Sequence, residues 1–307
     1  MKRATLLLAE ALFTLWLLAT LCFVLLRAAP GGPFDSEKTA PPEVQAALAA
    51  QYRLDQPMLS QYGHWLGDVL RGDLGPSFQY PDYTVNELIA GSLPISLFNG
   101  GMALLFSLLL GLPLGIWAAL HAGQRMDRIL MFVAGLGLAL PKFVVAPLLI
   151  LLFAVSLHWL PAGGWDGGWR NAVLPIVALS LPNLAYCARL TRASLLEVLD
   201  ADFMRAARGR GLSETRLLFA HALRPGLLPV VAWLSPALIN VVSGSAVVEQ
   251  VFGIPGIGRY FVQGALNRDY TLVLGIVLVI GAAIALINAL VDALRAWMDP
   301  RLRDAQE

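Results

Sequence analysis

Apolar residues gather into six long blocks along the chain, over 5–26, 95–120, 129–157, 173–190, 227–251 and 271–294. A helix needs about 20 such residues to cross the roughly 30 Å of bilayer hydrocarbon. The fourth block is the shortest and only just approaches that length. Gly and Pro interrupt most of the blocks, as at Gly111, Pro113 and Gly115, at Pro141 and Pro147, and at Pro229 and Pro236. Membrane helices accept these residues where neighbours satisfy the freed backbone groups. The pattern therefore predicts kinked helices packed around something, not a simple anchor. Lys2 and Arg3 precede the first block and Ala28 and Ala29 follow it, as in a signal peptide. Its apolar core of about 22 residues exceeds the roughly 7–15 of a cleavable signal, so an uncleaved first transmembrane helix is expected. No lipidation motif is evident.

Two long polar segments separate the blocks. Residues 27–94 read as a loop, a helix near 42–52, another near 57–70, a turn-rich Gly72-Asp-Leu-Gly-Pro76 stretch and a short helix near 84–91. Residues 191–226 are strongly basic. Lys and Arg in short loops set orientation. With the N-terminus inside, the inner loops hold 14 basic residues, among them Arg125, Arg128, Arg295, Arg301, Arg303 and seven arginines from Arg189 to Arg224; the outer ones hold 7. Both termini are thus expected in the cytoplasm. The outer segment 30–94 carries Lys38, Arg53 and Arg71 against eight acidic residues, a charge of −5. It reads either as helices bracing the outer mouth or as a surface that steers a basic partner. The expected division is a first transmembrane helix over 1–29, an extracytoplasmic helical segment over 30–94, a five-helix core over 95–299 containing the loop 191–226, and a cytoplasmic tail over 300–307.

Composition narrows the class. The chain of 307 residues is 57% hydrophobic and 14% charged, with a mean hydropathy of +0.66. Soluble domains are about one-quarter charged, and disorder needs low hydrophobicity and high net charge. Both classes are excluded, leaving an all-α integral membrane protein with six transmembrane helices. A net charge of +1 gives no pull toward nucleic acid. Cys22 and Cys187 lie in separate apolar blocks and suggest neither a disulfide framework nor a metal site.

Reactive chemistry is sparse. The lysines are Lys2, Lys38 and Lys142, and none follows a glycine, so no phosphate-binding Gly-Lys-Ser/Thr loop exists. The chain cannot be a P-loop ATPase by itself. His64, His121, His158 and His221 are dispersed without metal-ligand spacing, and no Gly-x-Ser-x-Gly occurs. No catalytic residue and no metal ligand is expected. The run Gly253-Ile-Pro-Gly-Ile-Gly258 reads as a turn between the fifth and sixth helices. Glu10 and Glu249 lie near block ends and read as packing or local pairing. Trp159, Trp165 and Trp169 read as interfacial anchors. Lys142 stands inside the third block, where a charge costs about 2.5–3.5 kcal/mol and should face a cavity or a partner. It either lines a translocation path or pairs with a carboxylate.

The loop from Glu197 to Pro225 holds the densest pattern. Asp200 or Asp202 can cap a helix over about 202–209, and Gly209 or Gly211 can end it in a left-handed conformation. Ser213 can cap the next helix, and Pro225 places a kink before the fifth block. The short helix carries Phe203, Met204, Ala206 and Ala207, ringed by Arg205, Arg208 and Arg210. It is too short to be stable alone. Either a partner protein buries its apolar side, or it belongs to a solvated basic loop.

This segment resembles the EAA loop of ABC importer permeases, Glu-Ala-Ala-x3-Gly-x9-Ile-x-Leu-Pro. Arg205-Ala206-Ala207 stands at the triplet and Gly211 at the glycine. Arg205 replaces the Glu, and His221-Ala222-Leu223-Arg224 replaces the last motif, with Pro225 one place late. Arg27-Ala-Ala-Pro-Gly-Gly-Pro33, Gly72-Asp-Leu-Gly-Pro-Ser-Phe78, Leu160-Pro-Ala-Gly-Gly-Trp165, Gly253-Ile-Pro-Gly-Ile-Gly258 and Ala265-Leu-Asn-Arg-Asp-Tyr270 all resemble the B-type membrane subunit of bacterial oligopeptide importers. The resemblance spans essentially the whole chain.

The resemblance implies an inner-membrane permease, not an enzyme, that pairs with a homologous second permease. Two cytoplasmic ATPases would bind the ATP, and this chain would carry no cofactor. The loop around 200–215 would be the coupling helix, with Asp202, Phe203, Arg205, Ala206, Ala207, Gly211 and Leu212 as the residues facing the ATPase. A periplasmic peptide-binding protein would deliver short peptides; if Lys142 lines the path and is not paired with a carboxylate of the protein, it would stand near a peptide carboxylate. Dipeptide, modified-peptide and nickel-chelate importers share most of these motifs. A secondary transporter would work alone on an ion gradient, and would usually need more helices or an internal repeat. A membrane enzyme would need a reactive constellation, which the sequence lacks.

Overall fold

The computed structural model describes residues 2–28 and 53–298. The helix expected near 42–52 and the tail over 300–307 lie outside the described residues. Among the described residues every regular element is helical, apart from an isolated bridge between Pro76 and Thr84. The helices are α1 (Lys2–Ala28), α2 (Met58–Leu70), α3 (Val85–Leu120), α4 (Arg125–Ala139), α5 (Lys142–Ser156), α6 (Trp169–Leu199), α7 (Asp202–Gly209), α8 (Glu214–Gly226), α9 (Leu228–Phe252), α10 (Ile257–Leu266) and α11 (Tyr270–Met298). Four of them contain a stretch long and apolar enough to cross a membrane: Ala9–Ala28, Val85–Leu120, Trp169–Leu199 and Tyr270–Arg295. Two bent pairs make up to two more, α4 with α5 at 101° and α8 with the Leu228–Val241 part of α9 at 44°.

Several elements differ from the sequence expectation. The third block is two helices, because Pro141 has no N–H to donate and its ring pushes Leu140 into extended backbone (φ −81, ψ 118). The fourth block sits inside a 31-residue helix, α6, whose polar ends run past the apolar core. The helix expected near 84–91 is the first turns of α3, which runs on through Gly91 and Pro94. Between the fifth and sixth blocks, Gly253 ends α9 in left-handed conformation (φ 65), and the separate helix α10 then forms.

The chain folds as two compact units. The first comprises Met1–Ile95 with Pro255–Ala285, and the second Ser96–Ile254 with Leu286–Glu307. In the first unit, buried Phe23 of α1 packs its ring 5.2 Å from both Tyr62 and Trp65 of α2. Thr20 and Tyr62 hydroxyls hydrogen-bond at 2.8 Å, and Arg27 Nε donates to Gln61 at 2.7 Å. A second cluster joins Val85, Leu88 and Ile89 to Ile257, Leu272 and Ile276. Buried Asp269 ties this unit together. Its Oδ2 accepts from Ser77 Oγ at 2.5 Å and from the Phe78 and Gln79 amides at 3.1 Å. Its Oδ1 accepts from the Leu272 amide and Thr271 Oγ1, both at 3.1 Å. Asp269 immediately precedes α11, so the same carboxylate caps that helix and suits the positive end of its dipole.

In the second unit small residues set the helix spacing. A Cβ at Gly115 of α3 would lie 2.6 Å from the Ala188 carbonyl oxygen and from Thr191 of α6, and one at Gly111 would lie 2.9 Å from Cys187. Membrane helices associate through such close approaches. Ser107 Oγ donates across to the Ser180 carbonyl at 3.0 Å. Asp127, buried at the start of α4, accepts from Arg192 Nε at 2.6 Å, from its NH2 at 2.7 Å and from the Gly123 amide at 2.9 Å. Glu249 is buried in α9 and accepts from Ser96 Oγ at 2.6 Å. The Gly164 amide donates to the Phe252 carbonyl at 2.7 Å. Trp159 and Trp169 are exposed, while Trp165 packs against Phe98 with ring centres 6.3 Å apart.

Two consequences can be measured by thermal unfolding in detergent. Asp269→Ala removes a helix cap and strands a buried hydroxyl and two amides, so it should destabilise the protein by about 3 kcal/mol. Arg192→Met leaves the Asp127 carboxylate buried and uncompensated, a loss on the order of 3 kcal/mol. The double variant Asp127→Asn/Arg192→Met should regain most of that loss. Additive losses would rule out the pair as the cause.

Candidate functional site

The strongest candidate site is the connection from α6 to α8. Its short helix, α7, forms where expected, but neither aspartate caps it. The capping position needs extended backbone directly before the helix. Ala201 supplies it (φ −67, ψ 150), and its carbonyl accepts from the Met204 and Arg205 amides at 3.0 and 3.2 Å. Asp200 instead ends α6 in helical backbone. Asp202 is the first residue of α7, where its charge suits the dipole, and it pairs with Arg205 at 3.5 Å on the surface.

The end of α7 is built from glycine. Gly211, not Gly209, is the left-handed residue, with φ +82. Its amide donates to the Arg208 carbonyl at 2.9 Å. Ser213 then caps α8 by accepting from the Arg216 amide at 3.4 Å. The kink expected at Pro225 falls where α8 meets α9.

The helix has two faces. Met204 is fully buried in a cluster with Ala119 of α3, Leu195 and Leu199 of α6, and Leu217, Leu218 and Ala222 of α8. Ala207 and Leu212 are half-buried against the same cluster. Asp202, Phe203, Arg205, Ala206 and Gly211 lie on the exposed side, with Phe203 51% exposed. The seven residues singled out from the sequence therefore divide, five outward and two inward.

Arg208 clamps the loop. Its Nε and NH2 donate to the two Glu214 carboxylate oxygens at 2.9 and 3.3 Å, and its NH1 donates to the Leu199 carbonyl at 3.3 Å. One guanidinium thus joins the end of α6, the body of α7 and the start of α8. The Glu214 carboxylate raises the Arg208 pKa above its ordinary value. In the sequence Arg208 is one of a ring of basic residues, and nothing there marks it as a clamp. The six-residue separation of Arg208 and Glu214 spans a left-handed glycine, so no helical spacing pointed to the pair.

Lys142 lies elsewhere in the second unit. It is half-buried as the first residue of α5, and its Nζ donates to Asn240 Oδ1 of α9 at 3.4 Å.

Comparisons with known proteins fit this geometry. Residues 111–304 match the family model described as binding-protein-dependent transport system inner membrane component. The oligopeptide transport system permease protein OppB of Salmonella typhimurium is 48% identical over 295 residues, covering 96% of each chain. That of Haemophilus influenzae is 48% identical over 297 residues, covering 96% of this chain and 97% of the relative. The dipeptide transport system permease protein DppB of Bacillus subtilis is 38% identical over 290 residues, covering 94% of each. Among solved structures, a chain of the MetNI methionine ABC transporter in an inward-facing conformation superposes with a TM-score of 0.56 at 20% identity. It covers 69% of this chain and 96% of that one, a likeness of fold. The chain belongs to the family of binding-protein-dependent transport system inner membrane components.

Proposed function

We propose that this chain is one permease subunit of an ATP-driven ABC importer that moves short peptides from the periplasm to the cytoplasm. The observation that carries the reading is the 48% identity to oligopeptide permeases over 96% of the chain. The dipeptide reading rests on the lower 38% identity. In this reading each bent helix pair is one span, giving six, with both termini in the cytoplasm and the arginine-rich loop on the same side. Residues 30–94 face the periplasm, 95–299 form the pore core, and 300–307 are a cytoplasmic tail. The partners are a homologous second permease, two cytoplasmic ATPases that bind the ATP, and a periplasmic peptide-binding protein.

The loop supplies the mechanical link. Asp202, Phe203, Arg205, Ala206 and Gly211 present the outer face to an ATPase groove. Ala207 and Leu212 act from the inner face, together with Met204, and transmit the motion to α6 and α8. ATP-driven closure of the two ATPases then rearranges packed helices as rigid bodies. Peptide and ATP drive the cycle only by binding its inward-open and outward-open states differently.

Mild-detergent purification of the tagged chain should recover a second permease and two P-loop ATPases, and the reconstituted assembly should take up peptides only with ATP. A chain recovered alone that moves solute without ATP would sink this reading in favour of a secondary transporter. The loop makes a sharper prediction. Gly211 has open space around it, but its left-handed backbone disfavours any β-branched residue. Gly211→Val and Arg208→Gln should both leave membrane insertion and assembly intact. Both should lower peptide uptake per ATP hydrolysed by about fivefold or more. Wild-type stoichiometry in both variants would remove the loop from the coupling path.

A further inference from the structure

With α4 and α5 read as one span, Lys142 is an ammonium at membrane depth whose partner is the neutral amide of Asn240. The apolar part of α4, 129–139, rises about 16 Å, about half of the ~30 Å hydrocarbon, and Lys142 starts the next helix after the 101° bend. Among the described residues no carboxylate lies within ion-pair distance of it. The carboxylate of α9, Glu249, stands about 13 Å farther along that helix than Asn240 and accepts from Ser96 instead. Glu197 of α6 lies near the end of that helix that leads into the loop. α5 has no acidic residue of its own. Among the described residues the fold thus provides no in-chain pair, one form of the pairing with a carboxylate that the sequence left open.

The surroundings point to water. Asn240 is exposed on α9, and an exposed amide beside an ammonium is costly against lipid. The helix break at Leu140–Pro141 leaves backbone carbonyls without helical partners. Pro147 and Pro236 do the same to the carbonyls of Phe143 and Ala232, four residues earlier. Irregular backbone at membrane depth is tolerated where it is buried in protein or lines a water-filled cavity. In secondary transporters, discontinuous helices line the substrate site.

We propose that Lys142 and Asn240 form a station for the carboxylate of a peptide in transit. The inference rests on the peptide-importer reading above. The long 3.4 Å contact to Asn240 leaves the ammonium two further N–H donors, and the Asn240 amide supplies its own. A lysine is a point charge on a flexible stem, without the bidentate fork of arginine. It therefore recognises a carboxylate without fixing what surrounds it. The C-terminal carboxylate is common to peptides of every sequence, so a station for it serves an importer of varied side chains.

The test uses the complete importer in liposomes, with its partner permease, ATPases and binding protein. Uptake of trialanine is compared with that of trialanine amide, each loaded to equal occupancy on the binding protein. The wild type should favour the free acid by about tenfold, the worth of a charge-assisted hydrogen bond. Lys142→Gln and Asn240→Leu should each collapse that preference by slowing the acid while leaving the amide unchanged, and Lys142→Arg should keep most of it. Equal uptake of the two peptides by the wild type, or an unaltered preference in both Lys142→Gln and Asn240→Leu, overturns the station alone. Loss of the second permease from the Lys142→Gln complex, with Lys142→Arg retaining it, also overturns the station and assigns Lys142 to a carboxylate of that subunit. A wild-type importer that moves neither peptide with ATP overturns the functional reading and the station with it.

Discussion

Hydrocarbon offers no hydrogen bonds, so a chain in the bilayer can leave the helix only where its own groups satisfy the exposed backbone. Buried connections between the spans answer to the same rule, because an unpaired buried backbone group is costly there too. Where the chain turns between α10 and α11, Asp269 gathers two hydroxyls and three amides on one carboxylate. Where it reverses after α9, the Phe252 carbonyl accepts the Gly164 amide at 2.7 Å, and Gly163 has no Cβ to obstruct the approach. Four short motifs scattered along the sequence thus become two contacts. Gly72–Phe78 meets Ala265–Tyr270 through Ser77 and Asp269, and Leu160–Trp165 meets Phe252 and Gly253 at the end of α9.

The same constraint governs packing. Lipid is as apolar as a leucine side chain, so burial of leucine between membrane helices gains little. Association depends on close backbone approach and on polar contacts instead. Gly111 and Gly115 let α3 lie against Cys187, Ala188 and Thr191 of α6, and this closeness lets Ser107 reach the Ser180 carbonyl. Asp127 and Arg192 fix α4 to α6 with a pair that is costly to break and cheap to omit. Many large apolar residues remain exposed, among them Leu109, Phe132, Leu148 and Leu290. On a soluble protein such a surface would be a liability, whereas in a bilayer it suits contact with lipid.

The sequence carried most of the helices and little of their pairing. Six apolar blocks, the helix over 202–209 and the Ser213 cap were legible because each depends on local pattern. The fate of Met204 was not. Phe203 and Met204 are adjacent apolar residues in a short helix, and only the position of Leu195, Leu199 and Leu217 decides which one turns inward. Neither Asp200 nor Asp202 caps α7, for a related reason. Capping depends on which residue is extended, and the end of α6 fixes Ala201 in that role. The break at Pro141 was visible as a proline, but a 101° bend is not distinguishable from a mild kink without the neighbouring helices. Asn240 gave no signal at all, because a lone amide in an apolar block has no pattern.

The short helix α7 shows why a loop this small can serve as a mechanical element. Eight residues do not hold a helix in water, so its shape is borrowed from what it touches. Met204 anchors it among side chains of α6 and α8, and Arg208 bonds it to the Leu199 carbonyl at one end and to Glu214 at the other. The helix therefore cannot shift without displacing α6 or α8, or breaking both contacts. Packed side chains exchange one arrangement for another and do not stretch. A push on Phe203 or Arg205 thus reaches the ends of two long helices as a displacement, not as a local deformation. In the proposed importer this is the property a coupling element requires, and it resides in the inward-facing residues as much as in the outward ones.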